Sequence, residues 1–190
     1  PEDPRGILLL NLGAGTSEVS VISLNGIVTS KTINKGGDYI DYAIIDLFRE
    51  KKHMDIGKST AEEIKNNLLS LRVKDGEKSM NVDGRDLVTA APKAVDIKSK
   101  DLVECLMPYA DEIVNMLYEV LEKIPPELTA DIKKDGFALT GGLSMIKGLR
   151  EYIENKLHLS SYTSDNPQTD SILGAGQILD DPDRFFKYRK

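Results

Sequence analysis

The chain has 190 residues, 40% of them hydrophobic and 29% charged, an ordinary make-up for a soluble globular protein able to bury a core. A net charge of -6 leaves no global basic surface for nucleic acid or an anionic membrane, and the single cysteine, Cys105, excludes an internal disulfide and fits a reducing, cytoplasmic setting. No apolar run approaches the ~20 residues that span a bilayer, no secretory leader pattern appears, and a start at Pro1 rather than Met reads as one lobe of a longer chain.

The first element predicted is a buried strand over Ile7 to Leu12, an apolar run containing the polar Asn11. A turn with Gly13 and Gly15 follows, then an alternating strand over Glu18 to Leu24. Asn25-Gly26 supplies residues that tolerate the positive φ of a tight hairpin, and Ile27 to Ile33 completes a three-stranded meander. After Gly36-Gly37, Asp38 is a candidate N-cap for a helix with Ile40, Ala43, Ile44, Leu47 and Phe48 on one face. The segment "STAEEIKNNLLSL" opens a second helix with Ser59 and Glu62 at capping-box spacing and a stripe of Ile64, Leu68 and Leu71.

Farther on, "EKSMNVDGRDLV" reads as a hairpin about Asp83-Gly84, and Ala94 to Ile97 as a short strand. Ser99 is expected to cap a long helix that Pro108 kinks or interrupts and Pro125-Pro126 stops. In "GFALTGGLSMIKGLREYIENKL", Phe137 to Leu139 is a strand, Gly141-Gly142 a turn, and Met145, Ile146, Leu149, Ile153 and Leu157 the apolar face of a helix beginning near Ser144. A strand near Tyr162 and a helix from about Asp170 to Leu179 complete the fold, and "DDPDRFFKYRK" reads as a mobile tail. There is neither an internal repeat nor a low-complexity linker.

Two glycine turns carry the chemical signal. A strand followed by Gly-x-Gly can be a plain hairpin or an anion cradle, because glycine admits close approach and successive N–H groups form a concavity. Thr16 can add a hydroxyl. The second turn lies between a strand and a helix start, where free N–H groups favour anions, although tight β–α connections look the same. Together the two turns favour a nucleotide cleft more than either does alone.

The segments "LNLGAGTSEVSVISLNGIVTSKTINKGGDYIDYAII", "STAEEIK", "VDGRDLVTAAPKAVDI", "PPELTADI" and "FALTGGLSMIKGL" resemble the second half of MreB-like bacterial actins, in the actin, Hsp70 and sugar-kinase superfamily. The first segment points only to the superfamily; "STAEEIK" and "GRDLVTAAPK" point to the MreB branch. The resemblance implies an α/β, ribonuclease H-like lobe with a mixed sheet flanked by helices. It implies a larger subdomain from residues 1–36 and 98–190 and a small α+β insert from 37–97.

By the same resemblance Gly13, Ala14, Gly15 and Thr16 would face the β- and γ-phosphates of ATP or ADP. Glu62, Glu63 and Lys65 would meet the ribose and purine edge, and Gly141, Gly142, Leu143 and Ser144 the adenosine. Read without it, the three charges of "STAEEIK" are a solvated helix face. Asn11 stands where the family has the Asp that helps hold the Mg²⁺ water shell, so metal would be held weakly, through water. Ala14 and Leu143 stand where the family has glycine. These departures imply a slow or non-hydrolytic site, and the first phosphate loop and the water-positioning acid belong to the family's other half, so ATP or ADP with Mg²⁺ would bind this lobe alone weakly or not at all. The implied role is an ATP-binding, filament-forming subunit that organises cell shape beneath the membrane, with homo-oligomeric protofilament contacts and no nucleic acid. The alternatives are a scaffolding subunit without hydrolysis and a metabolic kinase of the superfamily. His53 and His158 have no ligand pattern around them, and Cys105 reads as a small core residue. The cations and aromatics of Arg184 to Lys190 are a candidate contact for an anionic membrane surface, or an ordinary chain end.

Overall fold

The computed structural model describes residues 4–72 and 77–180, so the tail expectation lies outside the described residues. In chain order the elements are β1 (Ile7–Leu12), β2 (Ser17–Ser23), β3 (Gly26–Ile33), α1 (Gly37–Lys52), β4 (Met54–Asp55), α2 (Lys58–Leu68), β5 (Ser79–Asp86) and β6 (Pro92–Lys98). They continue with α3 (Val103–Leu121), α4 (Pro126–Asp135), β7 (Phe137–Thr140), α5 (Leu149–Leu157), β8 (Ser161–Tyr162) and α6 (Asp170–Asp180).

Two sheets form. The larger has the order β3-β2-β1-β7-β8, the smaller β4-β5-β6. β1 is antiparallel to β2 and β2 to β3, whereas β7 lies parallel to β1 and β8 parallel to β7, making the mixed α/β sheet expected. Leu8, Leu10 and Leu12 point to one face and are fully buried, joining Val19, Val21, Phe137 and Leu139 in one core with Tyr109, Ile113 and Leu117 of α3. Each such side chain contributes about 1.5–3 kcal/mol by leaving water. α3 packs on β2, β3 and α5, and α1 packs on α2 and α3. The smaller sheet with α1 and α2 thus lies in the chain between β3 and α3.

Several local expectations are corrected. The positive-φ pair of the β2–β3 turn is Leu24 and Asn25, one residue earlier than Asn25-Gly26, because Ser23 pairs with Gly26. α1 is entered from Gly36, not capped by Asp38, whose own N–H is donated to Ala14 O. The Ser59–Glu62 box does not form; α2 starts at Lys58 after Gly57 and ends at Leu68. Asp83-Gly84 is not a hairpin apex but lies inside β5, and the chain reverses between Asp86 and Ala91. There Asp86 Oδ1 accepts from the N–H groups of Val88 and Thr89, both at 2.9 Å. Gly84 is glycine because β4 passes against it: a Cβ would lie 2.6 Å from Asp55 O.

Ser99 opens a single 3₁₀ turn, Ser99–Leu102, rather than capping α3, and α3 runs through Pro108 as one helix. Gly142–Met145 is likewise one 3₁₀ turn; α5 begins only at Leu149, and Met145 is exposed. α4, with Pro126 at its first turn, was not expected from the sequence. Cys105 is buried as expected, and His53 and His158 are left-handed C-caps of α1 and α5. Among the described residues no helix is long and apolar enough to cross a membrane.

Candidate functional site

Parallel pairing of β1 and β7 sets Asn11 beside Thr140, so both glycine turns leave the same end of the sheet. They touch. Gly141 has φ +86°, and a Cβ there would lie 2.3 Å from Leu12 O and 2.7 Å from Asn11 Oδ1. Only glycine satisfies both the conformation and the approach. Gly13, Ala14, Gly142 and Leu143 then line one cavity of about 630 Å³, with α2 as its third wall. That volume is within the usual range of about 300–1,000 Å³ for small-molecule sites.

The first turn closes by the Gly13 N–H donating to Thr16 O at 2.9 Å, leaving Ala14, Gly15 and Thr16 exposed at the corner. Its carbonyls are clasped from behind: Gly37 N–H donates to Gly13 O at 3.1 Å and Asp38 N–H to Ala14 O at 2.9 Å. A Cβ on Gly36 would lie 2.5 Å from both carbonyl oxygens, so this doublet is tied to the turn itself. On the α3 side, Ser17 Oγ donates to Lys35 O at 2.7 Å and lies 2.7 Å from the Tyr109 hydroxyl. Burial pushes the Tyr109 phenol well up.

The second turn is built differently from its expectation. Ser144 N–H and Ser144 Oγ both turn back to Gly141 O, at 3.1 and 2.6 Å, closing a single 3₁₀ turn ahead of α5. Gly141 N–H donates to Pro167 O at 3.0 Å. Thr140 Oγ1 lies 2.6 Å from Asp170 Oδ2, and hydrogen bonds from Ser164 and Thr140 hold the Asp170 carboxyl below its usual range.

α2 contributes Glu62, Asn66 and Lys65 to the cavity wall. Glu62 is exposed, but the Lys65 side chain is only 9% exposed and its Nζ lies 2.8 Å from Asp41 Oδ1 on α1. Burial pushes the Asp41 carboxyl up, against the pull of Lys65. At the start of α2, Lys58 pairs with Asp38 of α1 at 2.8 Å and holds that carboxyl below its usual range.

Of the residues singled out in the sequence, the fold brings Gly13, Ala14, Glu62, Lys65, Gly142 and Leu143 onto the cavity. Asn11 and Gly141 adjoin each other behind it, Gly15 and Thr16 are at the exposed corner, Ser144 closes its own turn, and Glu63 is on the exposed side of α2 outside the lining. Sequence reasoning missed Gly36-Gly37 as part of the site, although the doublet was a visible signal. It also missed Asp41 and the wall residue Gln168, which carry no local signal.

A family model described as MreB/Mbl protein matches residues 2–187. The cell shape-determining protein Mbl of Bacillus subtilis is 33% identical over 184 residues, which are 97% of this chain and 55% of that protein. The cell shape-determining protein MreB of Escherichia coli is 34% identical over 178 residues, 94% of this chain and 51% of that protein. The chain therefore spans about half the length of these curated relatives. Among solved structures, MreB5 of Spiroplasma citri bound to ADP superposes with a TM-score of 0.91 at 30% identity, covering 98% of this chain and 56% of that one. MamK in a double helical filament has a TM-score of 0.76 at 20% identity over 92% of this chain and 54% of that one, a likeness of fold. With a family match along nearly its whole length and relatives a third identical, this chain belongs to the MreB/Mbl family.

Proposed function

We propose that this chain is the nucleotide-holding lobe of an actin-like, filament-forming subunit that determines cell shape. The observation that carries the reading is the meeting of two glycine turns, from parallel neighbouring strands, on one cavity walled by α2. The Spiroplasma citri MreB5 bound to ADP, and its counterpart bound to AMPPNP, support adenine nucleotide as the occupant. Phosphates would rest against Gly13, Ala14, Gly15 and Thr16. Glu62 would face the ribose, and Gly142 and Leu143 the adenosine. Mg²⁺ would arrive with the phosphates, and Asn11 would reach it only through water, with a neutral oxygen in place of a carboxylate.

In this reading residues 37–97 are a small inserted subdomain on a larger one formed by 1–36 and 98–190, and both present surfaces to neighbouring copies along a protofilament. The filament would run beneath the cell membrane in the cytoplasm, with Arg184 to Lys190 available to an anionic lipid surface. Loss of liposome binding on removing those seven residues is the expected result, and undiminished binding refutes the lipid contact. Hydrolysis would require parts beyond this lobe, since phosphoryl transfer depends on several groups acting together.

The test is titration of the ¹⁵N-labelled chain with ADP and Mg²⁺. Amides of Gly13–Thr16 and of Gly141–Leu143 should shift along one common binding curve. Shifts confined to other surfaces, or none, refute the reading. A scaffolding role without hydrolysis is the second reading, favoured by Asn11 at a position where a carboxylate is expected and by the Leu143 side chain buried in the cavity wall. Asn11→Asp separates the two: tighter Mg²⁺-dependent binding supports a nucleotide switch, and no change supports the scaffold.

A further inference from the structure

Three groups outside the cavity lining meet behind the first turn: the hydroxyls of Ser17 and Tyr109 and the carbonyl of Lys35. Ser17 and Tyr109 are fully buried. Ser17 Oγ donates to Lys35 O at 2.7 Å, and a serine hydroxyl has a single proton to give. In the 2.7 Å contact between Ser17 and Tyr109 the phenol is therefore the donor, and the relay has one direction, from Tyr109 to Ser17 to Lys35. Burial keeps the phenol in that protonated form. The residues so tied adjoin the turn and its clasp. Ser17 follows Thr16, and Lys35 precedes Gly36-Gly37, from which the amides of Gly37 and Asp38 hold the carbonyls of Gly13 and Ala14. α3 also takes Lys35 by its other end: the ammonium lies 2.6 Å from Glu112 Oε2 and 4.8 Å from the centre of the Tyr39 ring.

We propose that Tyr109 is a positioning residue for the candidate site: its hydroxyl, which touches no ligand, orders the Ser17 hydroxyl and so fixes the end of the first turn against the clasp. This inference rests on the nucleotide reading for its purpose but not for its structural test. In a dry space each hydroxyl polarises the next, so losing the phenol donor weakens the Ser17-to-Lys35 bond as well as its own. The exposed end of Lys35 contributes less order, because water screens the Lys35–Glu112 pair, in which both side chains are more than a third exposed. The buried relay therefore carries the restraint. It sets where Ser17 leaves the turn, and through it the shape of the corner at Ala14, Gly15 and Thr16. The same relay ties that corner to α3, and α3 packs on α5.

Tyr109→Phe removes one oxygen and keeps the ring, whose centroid lies 6.5 Å from that of Tyr39. Tyr118→Phe is the control, removing the α3 hydroxyl that donates to Lys156 O of α5. Amide hydrogen exchange is read without ligand at Gly13, Gly37 and Asp38, whose N–H groups close the turn and its clasp, and at Ala138 and Leu139 in β7. Mg²⁺–ADP affinity is read by titration of the same samples. A bond that only stabilises the fold speeds the slow core amides of β7 and leaves locally opening amides at their own rates. Positioning predicts the opposite order: Tyr109→Phe speeds exchange at Gly13, Gly37 and Asp38 about fivefold or more, beyond any change in β7, and weakens Mg²⁺–ADP binding about three- to tenfold. Ser17→Ala reproduces both effects, and Tyr109→Phe adds little on that background. Tyr118→Phe leaves both readings at parent values. Parent exchange rates at the three turn amides in Tyr109→Phe overturn the proposal. So do a loosened turn with unaltered ADP affinity, and equal effects from Tyr118→Phe. If Tyr109→Phe fails to fold, Ser17→Ala decides by the same two readings. Absence of ADP binding to the unaltered chain refutes the nucleotide reading, and the exchange data still decide whether Tyr109 holds the turn.

Discussion

Substituting Gly36 by alanine tests the clasp most sharply. The added Cβ would lie 2.5 Å from Gly13 O and from Ala14 O and 2.8 Å from Ala14 C, all backbone atoms that cannot rotate aside. Ordinary contact begins near 3.4 Å, so the two segments must part by about 0.9 Å. Opening by that much stretches the Gly37-to-Gly13 and Asp38-to-Ala14 bonds from 3.1 and 2.9 Å beyond hydrogen-bonding range. Two lost bonds at about 0.5–1.5 kcal/mol each give about 2 kcal/mol, partly offset by the lower chain entropy of alanine in the unfolded state. For a chain of this size the melting temperature should fall by about 4–8 °C. Circular dichroism melts measure that fall, and amide exchange at Gly37 and Asp38 should rise with it. The control is Gly15→Ala, where nothing lies within 4 Å of the added carbon, with an expected change within about 0.5 kcal/mol. Equal melting temperatures for Gly36→Ala and Gly15→Ala would refute the clasp.

Tyr109→Phe leaves the buried Ser17 hydroxyl without one partner and should cost about 1 kcal/mol in urea unfolding; a Ser17→Ala background should remove most of that difference. Gly84→Ala pushes a carbon to 2.6 Å from Asp55 O and should destabilise by about 1–3 kcal/mol, read as a lower urea midpoint with an unchanged slope. The Asp86 carboxyl is depressed by the Thr89 and Val88 N–H groups and by Lys93, so its stabilisation is present above the unfolded carboxylate pKa of about 3.9 and is lost as pH falls through the lower folded value. Asp86→Asn should therefore be less stable than the parent at pH 7, with the gap closing in acid below about pH 4; a gap independent of pH would count against the assignment.

What could be read in advance was what local pattern records. The apolar run from Ile7 to Leu12, the apolar residues of α3 and the two glycine turns are each visible within a few residues, and they locate the sheet, its main helix and the site. The misreadings share a cause: the deciding contact is distant in sequence. Asp83-Gly84 looks like a turn because that dipeptide favours turns, but Gly84 is small for the sake of Asp55 on another strand. Met145 and Ile146 continue the periodicity of α5, yet Gly148, at φ +86°, starts the helix afresh. Lys65 looks like one more surface charge until α1 brings Asp41 beneath it. The start of α4 is hidden because Pro125-Pro126 reads as a helix stop, whereas α3 already ends at Leu121 and the second proline begins the next helix.

β1 gains its parallel neighbour only from Phe137 onward, although its antiparallel neighbour follows within a few residues. At synthesis rates of about 5–20 residues per second, a ribosome needs roughly 6–25 s to travel from the end of β1 to β7. Throughout that interval the nascent meander carries an open backbone edge rich in leucine, a ready template for neighbouring nascent chains. Birth of this protein thus includes a vulnerable period measured in seconds, and shielding of that edge by chaperones would matter most before β7 emerges.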